Sequence, residues 1–353
     1  MTPSPPSIHI AGRPVGPGHP AYVIAELSAN HGQDFGKAAA MVRAAHAAGA
    51  DAVKLQTYTP DTLTIACDRE PFRIRGGTLW DGRTLHELYA EAFMPWEWQP
   101  RLAALAGELG MHCFSTPFDD TAVAFLEAMD VPAYKVASFE IVDIPLLTTI
   151  AATGRPVIMS TGMAGLGEID EAVRALRQGG CREIALLKCT SAYPAPDSAM
   201  HLATIPHMAA AFQVPAGLSD HTLGLAIPVA AVALGACCIE KHFTLRRADG
   251  GPDAAFSLEP EEFAAMVAAV RRAEAAVGTV RYDVSETEAA SRAFRRSLFV
   301  VADVKAGEVF TTANVRSIRP GHGLHTRHLP QVLGRRARRD IARGEPMAWD
   351  LLA

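Results

Sequence analysis

The chain has 353 residues, a formal net charge of −5, 20% charged residues and 49% hydrophobic residues. This composition excludes a disordered chain, and the mildly acidic total argues against a nucleic-acid binder, which would need a basic face. The first six residues have neither a basic start nor an apolar core, so no export signal is expected, and six cysteines without a Cys-x-x-Cys pair indicate reduced thiols in a cytoplasmic protein.

Short apolar runs alternate with alanine-rich stretches along most of the chain. The predicted strands are residues 22–25, 52–55, 112–114, 133–137, 156–159, 184–187, 214–218 and 237–239. Helical patterns lie between them, as in residues 36–48, 121–129, 167–178 and 223–235, and a last helix is predicted near 260–277. Eight strand–helix repeats imply a parallel sheet with crossover helices. They predict a (β/α)8 TIM barrel, with an open doubly wound sheet as the alternative.

One uncharged run, residues 222–239, is long enough to raise the question of a membrane span. It contains Gly224, Pro228 and Gly235, and charged or polar residues crowd both of its ends. We therefore predict a buried helix followed by a strand, and no membrane segment.

The predicted domains are a barrel at 1–277, a linker at 278–292 and a small β-rich module at 293–353. The linker has no apolar periodicity and more charged residues. The module after it has short strand-like runs separated by glycine-containing turns, which indicate a β-rich domain. Residues 57–95 form a long insertion after the second strand, and insertions of this length are typical of lids or specificity elements.

Polar and ionisable residues follow all eight predicted strands, and the carboxyl ends of barrel strands meet at one mouth, where this fold builds its chemistry. His221 and His242 follow the last two strands and would face each other there. Neutral imidazoles bind Mn²⁺, Fe²⁺ or Zn²⁺, and two protein ligands suit an open ion better than structural zinc. Asp220, Glu240 and Glu26 could add a carboxylate. The alternative is that each histidine is a hydrogen-bonded structural residue.

The same mouth is rich in cationic and hydroxyl side chains, and these donor groups suit a ligand that carries both a phosphate and a carboxylate. These residues are Lys54, Thr116, Lys135, Ser138, Ser160, Ser191 and Ser219. The glycine-rich motifs typical of nucleotide sites do not occur. Two alternatives stay open: lysines that only pair with neighbouring acids, and a Schiff-base lyase with Lys54 or Lys135 as nucleophile.

Nine ordered strand-end motifs resemble the sialic acid synthase family. They are Ile-Ala-Glu-Leu-Ser-Ala-Asn-His (24–31), Val-Lys-Leu-Gln-Thr (53–57), Phe-Ser-Thr-Pro-Phe (114–118), Tyr-Lys-Val-Ala-Ser-Phe-Glu (134–140), Ser-Thr-Gly-Met (160–163), Lys-Cys-Thr-Ser-Ala-Tyr-Pro (188–194), Gly-Leu-Ser-Asp-His-Thr-Leu-Gly (217–224), Ile-Glu-Lys-His-Phe-Thr (239–244) and Gly-Pro-Asp (251–253). The tail, including Ser-Ile-Arg-Pro-Gly (317–321), resembles the antifreeze-like (SAF) domain that ends these enzymes.

The resemblance implies a transferase that condenses phosphoenolpyruvate with an N-acetylated amino sugar to form a nonulosonic acid. It implies that the lysines and hydroxyl residues named above hold phosphoenolpyruvate, and that His221 and His242 bind Mn²⁺, with Mg²⁺ or Co²⁺ as alternatives. It also implies that Glu26 is catalytic and that the sugar contacts Gln56, Glu140, Tyr193, Asp253 and Arg319. The expected assembly is a domain-swapped homodimer in which each tail caps the other subunit, with Arg319 reaching the sugar.

Further motifs resemble the pseudaminic acid synthases within this family. They are residues 27–29, 76–77, 79–81, 137–140 and 256–258. This resemblance implies 2,4-diacetamido-2,4,6-trideoxy-L-altrose as the sugar, with Phe139 and Leu258 facing its 6-methyl end. The alternatives are the same reaction on a legionaminic or neuraminic acid precursor and, suggested by the tail alone, a non-catalytic carbohydrate- or ice-binding protein.

Overall fold

Eight parallel strands close into a barrel in the structure, a computed structural model that describes residues 7–353. An antiparallel hairpin of β1 (Ile8–Ile10) and β2 (Arg13–Val15) precedes them. The barrel strands are β3 (Tyr22–Glu26), β4 (Ala52–Thr57), β5 (His112–Pro117), β6 (Tyr134–Val136), β7 (Val157–Ser160), β8 (Ile184–Cys189), β9 (Ala216–Asp220) and β10 (Cys238–His242). Strand β10 pairs with both β9 and β3 and so closes the barrel. The TIM-barrel prediction is confirmed, and the open-sheet alternative is wrong.

Ten α-helices accompany the barrel in the described part of the chain. They are α1 (Phe35–Ala47), α2 (Pro60–Leu63), α3 (Leu85–Ala92), α4 (Gln99–Glu108), α5 (Asp120–Ala128), α6 (Ile144–Ala152), α7 (Leu166–Gln178), α8 (Thr204–Phe212), α9 (Ala226–Ala233) and α10 (Pro260–Val277). Helices α2 and α3 belong to the insertion at 57–95. The uncharged run at 222–239 contains α9 and the start of β10, and no helix within residues 7–353 has the length and apolar character to cross a membrane.

Side chains of the barrel strands alternate between two apolar clusters, as the two-residue period of a strand requires. On β3, Tyr22 and Ile24 belong to the cluster inside the barrel, whereas Val23 and Ala25 pack with the surrounding helices. Residues of the β1–β2 hairpin join the inner cluster near the first residues of the strands. The inner cluster therefore fills the amino-terminal end of the barrel, and polar inward residues such as Glu26 occupy the carboxyl end.

The residues divide into two compact units, one ending at Gly278 and the other spanning Thr279–Ala353. The second unit contains α11 (Glu286–Ala289), β11 (Ser297–Val300), β12 (Val315–Ile318) and α12 (Leu329–Val332), around its own core of buried side chains such as Phe310. Residues 278–292, the predicted linker, are mostly exposed and include α11. The second unit has 13 Lys and Arg against 8 Asp and Glu, a formal charge of +5, and the remaining residues carry −10.

Candidate active site at the carboxyl end of the barrel

A cavity of about 640 Å³ opens at the carboxyl ends of the barrel strands. Eleven of the predicted site residues line it: Lys54, Gln56, Lys135, Ser138, Glu140, Ser160, Tyr193, Ser219, His221, His242 and Asp253. The structure thus brings together side chains from six strands or the loops that follow them. Glu26 and Thr116 lie behind Lys54, Ser191 lies beside Cys189, and Arg319 is an exposed residue of the second unit.

Two lysines and two glutamates form a buried cluster at the base of the cavity. The Lys54 Nζ lies 2.5 Å from Glu26 Oε2 and 3.2 Å from Thr116 Oγ1. Glu240 Oε1 lies 3.7 Å from the Nζ atoms of both Lys54 and Lys135. Because two charges of each sign meet here, the buried cluster is close to neutral overall. Glu240 was only a candidate metal ligand in the sequence, yet it joins the two lysines of the predicted anion site.

The four members of this cluster differ in how burial changes their protonation. Burial raises the pKa of Glu26 to about 7, although Lys54 acts in the opposite direction. Burial acts likewise on Glu240, but Lys135 and Lys54 outweigh it and lower the pKa of Glu240. Burial lowers the pKa of Lys135, whereas for Lys54 the two carboxylates outweigh burial and raise the pKa. Glu26 is therefore the member suited to exchange a proton near neutral pH.

Hydroxyl groups form a cradle around Gly162, beside Lys135. The Ser138 Oγ accepts a hydrogen bond of 3.0 Å from the Gly162 amide, and the Ser160 Oγ lies 2.7 Å from Lys135 Nζ. A Cβ atom at residue 162 would lie 2.3 Å from Ser191 Oγ and 2.7 Å from Ser138 Oγ. Glycine therefore keeps the space between these two hydroxyls open. Together with the lysine, the cradle offers the donors that a phosphate or carboxylate requires.

The two predicted histidine ligands face each other, with their ring centroids 5.2 Å apart. The Nδ1 of His221 lies 3.1 Å from the Thr190 carbonyl oxygen, an arrangement that leaves Nε2 as the electron-pair donor. Among the residues that the structure describes, the buried Nδ1 of His242 has no hydrogen-bond partner. Burial lowers the pKa of His242 well below its ordinary value, so this ring is neutral. For His221, burial is again the largest single cause and lowers the pKa, but the contacts with Cys189, the Thr190 carbonyl and Glu240 together outweigh it, and the pKa is raised.

A neutral, unpartnered imidazole nitrogen opposite a second histidine fits a divalent metal ion. Within the part of the chain that the structure describes, no group of three or more His, Cys, Asp or Glu side chains is arranged to hold a metal. The protein would therefore supply two ligands, and water or substrate would supply the others, as the open ion of the sequence hypothesis requires.

Asp220 does not belong to this site, so its interpretation as a candidate ligand is wrong. Its Oδ2 lies 2.7 Å from Lys241 Nζ, and both side chains are fully buried. The physical reason is strand alternation: Ser219 and His221 line the cavity, so Asp220 between them faces the opposite side. Removing one partner of such a buried pair typically costs about 3–5 kcal/mol, because the other charge is left uncompensated.

Carboxylates and an amide form the side of the cavity that was predicted to meet the sugar. Gln56 donates hydrogen bonds of 3.2 Å to Glu26 Oε1 and to Ser28 Oγ. Ser28 in turn donates to Asp253, whose pKa burial raises. The Oε2 of Glu140 is buried and has no hydrogen-bond partner within residues 7–353, and burial raises the pKa of Glu140 to about 7. An uncommitted carboxyl oxygen of this kind is available to a polar group of a ligand.

The insertion at 57–95 supplies a largely apolar wall of the cavity. Its lining residues are Tyr58, Thr62, Leu63, Ile74, Thr78, Trp80, Leu85, Leu88, Tyr89 and Ala92. The Trp80 indole N–H donates a 3.0 Å hydrogen bond to the Pro252 carbonyl, and its ring lies 5.7 Å from that of Tyr193. These contacts fix the wall against the loop that follows β10. The sequence signal was the length of the insertion, and it did not identify which side chains enter the cavity.

One residue predicted to face the sugar's methyl end is misplaced. Leu258 is 1% exposed, belongs to the core between barrel and helices, and pairs with Phe243. Its interpretation as a cavity residue is therefore wrong. Phe256, two residues earlier, lines the cavity instead and packs with its ring centroid 4.9 Å from that of His242. Phe139 also lines the cavity and is 60% exposed.

Comparison with known proteins adds independent evidence to this geometry. The profile of the NeuB family matches residues 41–282, and that of the SAF domain matches residues 295–353. The chain belongs to the NeuB family. The resemblance to sialic acid synthases and the prediction of a C-terminal SAF domain are therefore confirmed.

Among NeuB relatives, the pseudaminic acid synthase of Campylobacter jejuni is 44% identical over 92% of this chain and 95% of its own length. The pseudaminic acid synthase of Helicobacter pylori is 41% identical over 94% of this chain and 97% of its own length. A solved structure of an N-acetylneuraminic acid synthetase from Leptospira borgpetersenii, in complex with citrate, matches with a TM-score of 0.72 and 31% identity. That match covers 81% of this chain and 94% of the other.

Proposed function

We propose that this chain is a pseudaminic acid synthase. It condenses phosphoenolpyruvate with 2,4-diacetamido-2,4,6-trideoxy-L-altrose and forms pseudaminic acid and phosphate. The observation that carries the proposal is one cavity in which a lysine–hydroxyl anion cradle, a histidine pair and an apolar wall meet. The names of the two bacterial relatives support this choice of sugar over a legionaminic or neuraminic acid precursor. Family membership leaves little support for a Schiff-base lyase or a non-catalytic binding protein.

Phosphoenolpyruvate binds at the base of the cavity. Lys54 and Lys135 neutralise its phosphate and carboxylate, and Thr116, Ser138, Ser160, Ser191 and Ser219 donate hydrogen bonds to them or orient the lysines. Holding both reactants in one cavity replaces an encounter in solution by a reaction between positioned groups, which accounts for much of the rate.

Carbon–carbon bond formation joins C3 of phosphoenolpyruvate to the aldehyde carbon of the sugar. A divalent ion held by His221 and His242, which we propose to be Mn²⁺ with Mg²⁺ or Co²⁺ as alternatives, supplies Lewis-acid polarisation of the aldehyde when bound. The attack converts the aldehyde oxygen to an alkoxide and leaves positive character at C2. Water adds at C2, Glu26 accepts one proton of that water, and one proton is taken up by the alkoxide, which becomes a hydroxyl of the product. The tetrahedral adduct then breaks its C2–O bond to phosphate, the remaining hydroxyl proton leaves with the phosphate as the 2-keto group forms, and the lysines stabilise the leaving charge.

The sugar lies toward Gln56, Glu140, Tyr193 and Asp253, with its 6-methyl end against the apolar wall and Phe139. We expect N-acetylmannosamine to react roughly ten- to a hundredfold more slowly than the 6-deoxy diacetamido sugar. The reason is that a buried hydroxyl without a partner costs about 1–3 kcal/mol. The measurement is phosphate release from phosphoenolpyruvate with a panel of amino sugars. Equal kcat/KM values for the two sugars would contradict the proposed substrate. If none of the sugars in the panel caused phosphate release, that result would contradict the reaction itself.

We further propose that two copies form a homodimer in which the tail of each covers the barrel mouth of the other. Three observations support this. Exposed apolar side chains surround the mouth on loops after several strands, which is unusual for a solvent-facing surface: Leu79, Phe139, Met163 and Leu223. The tail and the rest of the chain carry opposite net charges. Among the described residues, the cavity lining contains no arginine, and Arg319 of a partner would supply one to the sugar.

Mixing inactive subunits tests this exchange. His242→Ala and Arg319→Ala are each expected to be inactive alone, and each heterodimer with crossed tails regains one intact site. Random mixing therefore restores about a quarter of wild-type activity, since half the dimers are mixed and half their sites are intact. The measurement is phosphate release after subunit exchange, with heterodimers counted by differential tagging. Heterodimers that form without activity would contradict the crossover.

A further inference from the structure

Three consecutive cross-strand pairs connect β9 to β10, next to the two histidines that hold the proposed metal. In the parallel register, Leu218 is paired with Ile239, Ser219 with Glu240, and Asp220 with Lys241. The Ser219 hydroxyl donates a 3.1 Å hydrogen bond to Glu240 inside the barrel, and the Asp220–Lys241 ion pair lies on the outer side. His221 directly follows Asp220 at the end of β9, and His242 directly follows Lys241 on β10.

The ion pair also holds the backbone of the residue directly after His221. Asp220 Oδ1 accepts a 2.9 Å hydrogen bond from the amide of Thr222, and Lys241 Nζ donates to the Thr222 carbonyl. Lys241 itself directly precedes His242. The same two side chains therefore connect the segment that carries one imidazole to the strand that carries the other. Both are fully buried, so water does not compete for these contacts.

We infer that Asp220 and Lys241 are positioning residues that set the separation and orientation of the two metal-binding imidazoles. The inference rests on the proposed metal site. A pair that only stabilised the fold could lie anywhere between barrel and helices, whereas this one spans β9 and β10 directly beside both histidines. Partners outside the ligand set commonly control metal affinity by tenfold or more.

Mn²⁺ binding to the purified full-length chain tests the inference, with free Mn²⁺ followed by electron paramagnetic resonance. The variant Asp220→Asn/Lys241→Gln keeps two polar side chains and leaves no unpaired charge, which limits the loss of stability. We expect the Kd for Mn²⁺ to rise on the order of tenfold or more. Asp220→Glu keeps the ion pair but lengthens one buried side chain, and we expect a smaller rise in the Kd for Mn²⁺.

Asp51→Asn is the matched control. Asp51 accepts hydrogen bonds from Arg13, Arg271 and the Val23 amide at the other end of the barrel, so its loss lowers stability without changing the histidines. We expect this variant to have a lower melting temperature than the wild type and the same Kd for Mn²⁺. A wild-type Kd in either folded Asp220 variant would overturn the inference, and if the double variant does not fold, Asp220→Glu decides. Failure of the wild-type chain to bind Mn²⁺ would instead overturn the proposed metal site.

Discussion

Replacing His221 or His242 by alanine is expected to abolish both Mn²⁺ binding and turnover. Each variant leaves one imidazole of a pair whose ring centroids are 5.2 Å apart, and one ligand does not hold an open ion. Lewis-acid polarisation is worth several kcal/mol, so we expect kcat to fall by at least about a thousandfold. Treatment of the wild type with a chelator should have the same effect. Added Mn²⁺ should restore the activity of the chelator-treated wild type but not that of the two variants. Phosphate release and Mn²⁺ titration measure the two effects.

His46→Ala is the control for this experiment, because His46 is an exposed residue of α1. It should keep wild-type activity and metal binding. Full activity in metal-free His221→Ala would contradict the role of the metal. Loss of binding with retained turnover would assign the histidines to a site that the reaction does not use.

Replacing Glu26 by glutamine is expected to lower kcat by about a hundred- to ten-thousandfold, the usual range for loss of a general base. The side chain keeps its size, but it no longer accepts the proton of water. Burial raises the pKa of Glu26 to about 7, and the deprotonated form is the active one. The wild-type rate should therefore be full above this pH and fall as the pH is lowered through about 7. Glu26→Gln should lack this limb of the pH–rate profile.

The variant Glu140→Gln shows whether the acidic limb comes from Glu26 or from Glu140, the other cavity carboxyl whose pKa burial raises to about 7. Because Glu140 is proposed to contact the sugar, its replacement should raise the KM for the sugar and preserve the acidic limb. A limb that disappears with Glu140→Gln but persists in Glu26→Gln would transfer the proton-accepting role to Glu140. Both variants need a melting temperature close to that of the wild type for this comparison.

Strand alternation explains both the success and the errors of the sequence predictions. The alternation of strands and helices was enough to predict the closed barrel and to place nine of the eleven cavity residues at one mouth, whereas Tyr193 and Asp253 were predicted from the family resemblance. A stricter use of the two-residue period would have gone further. Ser219 and His221 point inward, so Asp220 between them does not, and Glu240 shares the inward side with His242. Both the error at Asp220 and the undervalued Glu240 come from counting strand-end residues without their direction.

Other features have no local signal in the sequence. Phe256 and Leu258 follow β10 outside any strand, so alternation does not determine which of them enters the cavity. The hydrogen bond from Trp80 to Pro252 joins residues 172 positions apart, and its partners depend on the conformation of two loops. The role proposed for Arg319 needs a second copy of the chain. Such a role cannot be predicted from the hydrophobic periodicity of one chain, which reports only secondary structure and burial within it.

Apart from Thr57, which ends β4, the insertion at 57–95 contributes a wall to the cavity and no residue to the barrel strands. Its length and composition can therefore diverge among relatives while the register that places the lysines and histidines stays unchanged. Natural selection can then recruit a new acceptor sugar by remodelling this segment and retain the carbon–carbon bond-forming step. The same separation makes residues 58–95 the segment to exchange or randomise when a variant with altered sugar preference is sought in the laboratory.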